Sequence, residues 1–359
     1  MKSDLLVIIV SLLLTITLTT AQTFKCSTTA TCQSLIDYVS PNATTLSEIK
    51  TLFGVKNLRS ILGANNLPLS TSQNHPVPAK NTIKIPFPCK CSNGSGISNS
   101  VPVYTVKLGD GLDHIARDIF AGLLKYEQIV SVNNITNPNL IQVGQKLWIP
   151  LPCSCDPVNG TEVVHYGHVV AKGSTVEGIA LEFGTSAETL LSLNGLADAN
   201  KLQAGDVLDV PMSVCTSTIN NTSADYPLLV PKDTYTLTAN NCVQCKCGIL
   251  NNSTLLQCVP SLNEVKVTKW SQCPSMQCKG AGALTLGNTS YSAGCNAVCS
   301  YAGYTTNETI LTTLVTDPTC AANGVPPPGS HANKIGMRGS NWSWFLASLH
   351  LGLLFFGLV

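Results

Sequence analysis

Between Tyr104 and Cys155 the apolar positions change period twice. Tyr104-Thr105-Val106 alternates as a short strand, and Leu108-Gly109-Asp110 turns the chain. Leu112, Ile115, Ala116 and Ile119 then recur at helical spacing. Tyr126, Ile129 and Val130 repeat that spacing in a second helix, which ends at Asn133-Asn134, residues suited to the left-handed turn that closes a helix. A polar loop holding Pro138 leads to a closing strand, Lys146-Leu147-Trp148-Ile149-Pro150. A strand–helix–helix–strand unit of about fifty residues buries too little surface for a strong core. Cys153-Ser154-Cys155 follows at once, as a staple.

The pattern recurs on both sides. Upstream, residues 42–88 read as a degenerate copy: Leu46, Ile49 and Phe53 mark one helix, Leu58, Ile61 and Leu62 a second that ends at Asn65-Asn66. Ile83-Lys84-Ile85-Pro86 is its closing strand, and Cys89-Lys90-Cys91 comes next. Downstream, from about His165 to Met212, Val176, Ile179, Ala180 and Phe183 mark a first helix and Leu190 and Leu193 a second. Asn194, Gly205 and Val210-Pro211 repeat the spacing of Asn133, Gly144 and Ile149-Pro150. Residues 215 to 320 change character. Thr, Ser, Val and Leu dominate between ten cysteines, as in short strands. The expected class is α+β: three small βααβ motifs in a disulfide-locked block, then a cysteine-rich, β-rich domain.

Composition decides the compartment. Sixteen cysteines mean metal or redox sites in a reducing cell, and disulfides outside it. Lys2, the apolar run Leu5 to Leu18 and the small residues Thr19-Thr20-Ala21 make a secretory signal, cut after Ala21. Disulfides therefore outweigh zinc, even at Cys242-x-x-Cys245-x-Cys247. Cysteines two apart on a strand point the same way, toward other partners. Of the fifteen pairings open to Cys26, Cys32, Cys89, Cys91, Cys153 and Cys155, that leaves ten. At the other end the apolar stretch Trp342 to Val359 follows a polar spacer and a small residue, Ser330. This is the layout of a glycosylphosphatidylinositol (GPI) attachment signal, with Ser330 the best attachment residue, Gly329, Asn333 and Gly339 its rivals, and no transmembrane helix expected in the mature chain. The expected segments are 1–21 signal, 22–100 first motif, 101–155 second, 156–213 third, 214–320 cysteine-rich domain, 321–330 linker and 331–359 propeptide. Glycan acceptors stand at Asn42, Asn93, Asn134, Asn159, Asn220, Asn221, Asn251, Asn252, Asn288 and Asn307.

A net charge of +1 and 11% charged residues offer nothing to nucleic acid. Catalysis finds no footing either. A glycosidase needs two carboxylates across a cleft, and Asp113, Asp118 and Glu127 read as solvated helix surface. His114, His165 and His168 have no third metal ligand nearby. No metal, cofactor or enzymatic activity is expected. An uncharged glycan suits the chain better. It asks for backbone donors and acceptors and a small apolar floor for its methyl groups.

Tyr104, Val106, Gly109-Asp110, Leu112, Ile115-Ala116, Asn133, Gly144 and Ile149-Pro150 together resemble a lysin motif, a module that binds N-acetylglucosamine polymers. The resemblance places a chitin groove between Leu108, Gly109, Asp110, Gly111 and Leu112 on one loop and Ile135, Thr136, Asn137, Pro138, Asn139, Leu140 and Ile141 on the other. Cys-x-Cys after two motifs resembles the plant lysin-motif receptors, and implies Cys26–Cys91, Cys32–Cys155 and Cys89–Cys153. NNCVQCKCG, SMQC and NETILTTL extend the resemblance to plant GPI-anchored lysin-motif proteins, nearest their chitin-binding members. That family implies perception of chitin at the outer face of the plasma membrane, with plasmodesmata as a further location. It also implies a lysin-motif receptor kinase as partner and a second copy of the chain on a shared ligand. Rival readings are a peptidoglycan receptor of the same fold and a wall hydrolase targeted by the motifs.

Overall fold

The computed structural model describes residues 24–250, 253–261, 267–278, 284–292 and 295–316, so the secretory signal, Asn251, Asn252, Cys320 and Ser330 lie outside the described residues. Three asparagines mark the same joint three times. Asn65, Asn133 and Asn194 each end a helix and donate to a carbonyl of its last turn (Ile61, Ile129, Leu190). Each also donates to the carbonyl of one strand residue (Lys84, Trp148, Asp209) and accepts that residue's amide, all at 2.7–2.9 Å. Only a neutral amide carries both the donor and the acceptor this needs. Within each Asn-Asn pair the second residue takes the left-handed turn: Asn65 and Asn133 have φ of −103° and −98°, while Asn66 and Asn134 each have 50°.

The joints define three related units. In chain order come β1 (Phe24–Lys25), β2 (Thr31–Val39), β3 (Thr44–Thr45), α1 (Leu46–Leu52), α2 (Leu58–Ala64), β4 (Pro76–Val77), β5 (Thr82–Ser92) and β6 (Ser95–Ser98). The middle motif follows as β7 (Val103–Thr105), α3 (Leu112–His114) running into a π turn (Ile115–Ile119), α4 (Tyr126–Val132) and β8 (Lys146–Trp148). The third is β9 (Val163–Val169), α5 (Val176–Phe183), α6 (Ala187–Asn194) and β10 (Val207–Ser213). The first motif does not start at residue 42. Its opening strand is β2, paired antiparallel with β5 from Thr31↔Lys90 to Val39↔Thr82.

β2 also pairs in parallel with β9, which joins the first and third motifs in one sheet of order β1-β6-β5-β2-β9-β10; β7 and β8 stay apart as a two-stranded sheet. The seam is polar and buried. Ser34 donates to the His165 carbonyl at 2.7 Å, and the Asp37 carboxylate receives the Tyr166 hydroxyl and faces His168 Nδ1 at 2.8 Å. The middle motif shares its core with the first: Ile36, Leu46, Ile49 and Phe53 pack with Leu112, Ile115, Ile129 and Leu147. Phe120 stands edge-on between Phe53 and Tyr104, with ring centroids 5.7 and 6.0 Å away, and the Phe53 ring reaches Tyr38 at 5.0 Å. Its place depends on the π turn, in which the Phe120 amide reaches back to Ile115 at 3.0 Å.

Disulfides Cys26–Cys91, Cys32–Cys155 and Cys89–Cys153 span 65, 123 and 64 residues. Closing loops of that length removes about 4–5 kcal/mol of unfolded-chain entropy apiece in the chain-entropy model.

The described chain falls into two compact units. The first holds everything up to Thr216 together with Leu228–Thr238 and Gln244–Leu256. Within it, β11 (Tyr235–Thr238) lies on α2: the Tyr235 hydroxyl donates to the Leu67 carbonyl at 2.6 Å, and the Tyr235 carbonyl occupies the space a side chain at Gly63 would need. Cys215–Cys247 is also in this unit. The second unit carries the antiparallel sheet β12 (Thr289–Ser292), β13 (Cys295–Thr305) and β14 (Thr309–Thr316). Cys278–Cys299 and Cys242–Cys273 belong to it, and Trp270 packs edge-on to Tyr304. Cys242, Cys245 and Cys247 are all disulfide-bonded, which leaves no thiolate for zinc.

Candidate functional site

In each motif two loops leave one end of the strand pair side by side. In the middle motif Val106 accepts from the Gly144 amide at 2.8 Å and donates to the Gln145 carbonyl at 2.9 Å. In the third, Val170 does the same with Gly205 and Asp206, at 2.8 and 2.9 Å; in the first, Ser40 does so with Lys80 and Asn81, at 2.7 and 2.9 Å. Gly144, Gly205 and Lys80 all have left-handed φ, of 86°, 91° and 67°. Positions can therefore be counted across the motifs from these fixed points.

The middle motif's first loop is built on Asp110. Its carboxylate accepts the Tyr104 hydroxyl at 2.8 Å and the Lys107 amide at 2.7 Å. Burial, and then the Asp110 charge, hold the Tyr104 phenol well above its usual pKa, so it stays a donor. Asp110 thus shapes the loop and is not free for a ligand. Gly109, at φ 89°, needs to be glycine, whereas Gly111 has φ of −119°, which any residue adopts. A side chain at either would meet nothing within 4 Å, so both backbones are open to an approaching ligand.

The apolar candidates separate by burial. Leu112 is 3% exposed and belongs to the core, and Ile135 and Ile141 are half-buried against it. Leu108 and Leu140 are 91% and 70% exposed, and Val143, which the sequence pattern does not single out, is 65% exposed. The two loops thus carry three exposed aliphatic side chains. Thr136, Asn137 and Asn139 are exposed beside them and Pro138 is half-buried; Asn137 accepts the Asn139 amide at 3.0 Å, which sets the turn. Among the described residues, no hydrogen bond joins Leu108–Leu112 to 135–143, so the two loops do not pair through their backbones.

The first motif contrasts with this. Its β3 pairs with β4 (Thr44↔Val77, Thr45↔Pro76), and the Leu46 and Ser47 amides donate to the His75 and Gln73 carbonyls at 3.2 and 2.8 Å. The second loop has closed over the first. The cause is length: Asn65 and its strand partner Lys84 are 19 apart, against 15 for Asn133 and Trp148 and for Asn194 and Asp209.

Asp113, Asp118, Arg117 and His114 form an exposed cluster on one helix face, with Arg117–Asp113 at 2.8 Å and His114–Asp118 at 2.9 Å. The Arg117 and then the His114 hydrogen bond lower the Asp118 pKa, which keeps it ionised and unsuited to act as a general acid. A hollow of about 350 Å³ between Asp113, Arg117, Lys125 and Glu127 lies beside these ion pairs and contains no groove residue. Glycan acceptors Asn42, Asn93, Asn134, Asn159, Asn220, Asn221 and Asn307 are exposed, and Asn288 is half-buried.

The repeated loop pair on a two-helix, two-strand frame defines a lysin-motif module, and the LysM domain family model matches residues 104–150 and 168–211. Over 328 residues the chain is 48% identical to LysM domain-containing GPI-anchored protein 2 of Arabidopsis thaliana, covering 90% of each. Over 340 residues it is 40% identical to the chitin elicitor-binding protein of Oryza sativa subsp. japonica, covering 93% of this chain and 91% of that one. A solved receptor-like kinase ectodomain aligns with 52% of this chain and 94% of its own, at 22% identity and a TM-score of 0.44. The chain belongs to the LysM domain-containing GPI-anchored proteins.

Proposed function

We propose that this protein binds chitin oligomers through the middle motif and takes part in plant innate immunity at the plasma membrane. One observation carries the choice of motif. Leu108, Leu140 and Val143 stand exposed on two loops that do not pair with each other, beside an accessible glycine backbone. Acetyl methyl groups would cover the aliphatic side chains, and the loop's backbone groups would meet the sugar amides. The relatives are named for GPI anchoring and, in one case, chitin elicitor binding. By name they support an anchored, chitin-binding protein, and the reading adds attachment at Ser330, a LysM receptor kinase as the signalling partner, and two chains sharing one oligomer. They are named as binding or anchored proteins and not as enzymes, which supports recognition without catalysis.

Calorimetry of the secreted ectodomain with a chitin octamer tests the ligand. Saturable binding is expected, and no heat with a correctly folded ectodomain would sink the reading. Release of the full-length protein from membranes by phosphatidylinositol-specific phospholipase C tests the anchor. Retention, with a tail peptide still present by mass spectrometry, would replace it with a membrane span.

A further inference from the structure

The six cysteines that lock the motif block differ in exposure. Cys32 and Cys155 are half-buried, whereas Cys26, Cys89, Cys91 and Cys153 are at most 1% exposed. A reductant in solvent therefore reaches one of the three bridges and not the other two. The sheet register adds a second fact. Cys32 on β2 lies directly opposite Cys89 on β5, yet each is bonded to a different cysteine. Opposite residues on antiparallel strands share a face and have Cα atoms roughly 4.5–5.5 Å apart, inside the span of roughly 4.4–6.8 Å that a disulfide closes. The sulfurs of Cys32, Cys89 and Cys155 all lie within 4.8 Å of one another. β2 and β5 belong to the first motif, and Cys153 and Cys155 follow the middle one. Cys32–Cys155 and Cys89–Cys153 are thus the two cross-links between these motifs, while Cys26–Cys91 lies within the first.

We infer that the two cross-links form a redox relay, in which a dithiol reductant that opens the half-buried bridge releases both. One thiolate of the dithiol attacks the Cys155 sulfur, and Cys32 leaves as a thiolate. The second thiol of the reductant then displaces Cys155, and the reductant departs as its own disulfide. The Cys32 thiolate attacks the Cys89 sulfur across the strand pair. The Cys89–Cys153 bond breaks, and Cys153 leaves as a thiolate that takes a proton from water. In balance, the dithiol gives up two electrons and two protons, and the chain gains two thiols, on Cys153 and Cys155. Cys32–Cys89 and Cys26–Cys91 remain, both inside the first motif. The middle motif is then held to the first by their shared core and by hydrogen bonds alone. Those bonds keep the freed segment in reach. The Cys153 amide donates to the Gly96 carbonyl at 3.2 Å, and the Asp156 carboxylate accepts the Ser27 and Thr28 hydroxyls, both at 2.8 Å. Cys153 therefore stays beside Cys89, and the exchange can run backward when an oxidant returns.

The test is limited reduction of the folded ectodomain with dithiothreitol, followed by rapid alkylation at mildly acidic pH and non-reducing peptide mapping by mass spectrometry. The expected product has a Cys32–Cys89 bridge, Cys153 and Cys155 alkylated together, and Cys26–Cys91 intact. Alkylation of Cys32 and Cys155 with Cys89–Cys153 intact would overturn the relay. So would a Cys89–Cys155 bridge, which keeps the motifs tied, or survival of all three bridges in excess dithiothreitol. Cys32→Ser/Cys155→Ser then removes the attacking sulfur, with circular dichroism as the folding control. Alkylated Cys153 should appear in it at least about tenfold more slowly than in the wild type. Equal rates would show that the reductant reaches the buried bridge directly, and would overturn the relay. If that variant does not fold, Cys155→Ser replaces it and needs no reductant. It should be isolated with Cys32 bonded to Cys89 and Cys153 free; a free Cys32 beside an intact Cys89–Cys153 would overturn the relay.

Discussion

The first and middle motifs share a frame and a core and are joined by two disulfides, yet the loops of one pair with each other and those of the other do not. Both use the same asparagine joint and the same ladder at the loop bases. What separates them is four residues of loop. In the first motif those residues fold back and pair β4 with β3, so the chain uses the backbone groups that a glycan would otherwise meet. In the middle motif the shorter loop leaves its groups and its leucines to solvent. The same lysin-motif frame therefore carries either a paired or an unpaired set of loops, and loop length decides which.

The comparison can be broken in several places. The largest effect should come from unlinking the two motifs. Replacing Cys89 and Cys153 together by alanine removes one of the two bridges and should cost about 4 kcal/mol of stability, read from urea midpoints; a change under about 1 kcal/mol would mean that the shared core and Cys32–Cys155 suffice to unite them. Next is the joint. Asn133→Ala leaves the Trp148 amide and carbonyl without their partner and should cost about 2–4 kcal/mol, and Asn65→Ala should cost the same. Unequal costs would show that the two frames differ by more than a loop. Third, Leu140→Lys should weaken chitin-octamer binding about thirtyfold, near 2 kcal/mol, with the thermal midpoint unchanged, because the side chain is exposed. Ile135→Lys is the poorer probe, since it disturbs core packing as well. Unaltered binding by Leu140→Lys would move the site elsewhere.

The smallest effect is a pH dependence peculiar to the third motif. His165 Nε2 donates to the Asp156 carbonyl at 2.7 Å, and Nδ1 faces the Asp209 carboxylate at 2.8 Å, both side chains 1% exposed. Burial opposes the imidazolium, but the Asp209 and then the Asp156 partners outweigh it and raise the His165 pKa. Burial raises that of Asp209 as well, with His165 opposing. A proton held more tightly in the folded state stabilises below the unfolded histidine pKa, near 6.5, and that stability is lost as pH rises through the folded value. The thermal midpoint should therefore fall on going from mildly acidic to mildly alkaline buffer. His165→Gln should flatten the slope; an unchanged slope would assign it to other groups.

Much of this was legible from side-chain periodicity. The helices and closing strands follow from Leu46, Ile49, Leu112, Ile115, Val176 and Ile179, each buried on its own helix. β2 was not legible, for a physical reason. Paired on both edges and covered on both faces, its residues Ser34 to Tyr38 are all buried, so it shows no alternation and even carries a buried aspartate. The joint was half legible: the equal spacing after Asn133 and Asn194 was visible, but its meaning lies in hydrogen bonds to a strand fifteen residues on. In the groove, loop positions were readable, while which leucines face water and which face the core depends on how the loop folds.

The parallel pairing of β2 with β9 also bears on the order in which the molecule can be made. During synthesis β7, α4 and β8 can meet as soon as about fifty residues have emerged, because their contacts are local. β2 emerges earlier but finishes later. One neighbour, β5, follows some fifty residues behind, and the other, β9, more than a hundred; Cys32 waits for Cys155, 123 residues on. The amino-terminal strand thus waits with one edge unpaired until β9 emerges. Oxidation before Cys153 and Cys155 have emerged would favour the wrong partners among nearby cysteines, so secretion yield should depend on disulfide isomerisation more than the size of each motif suggests.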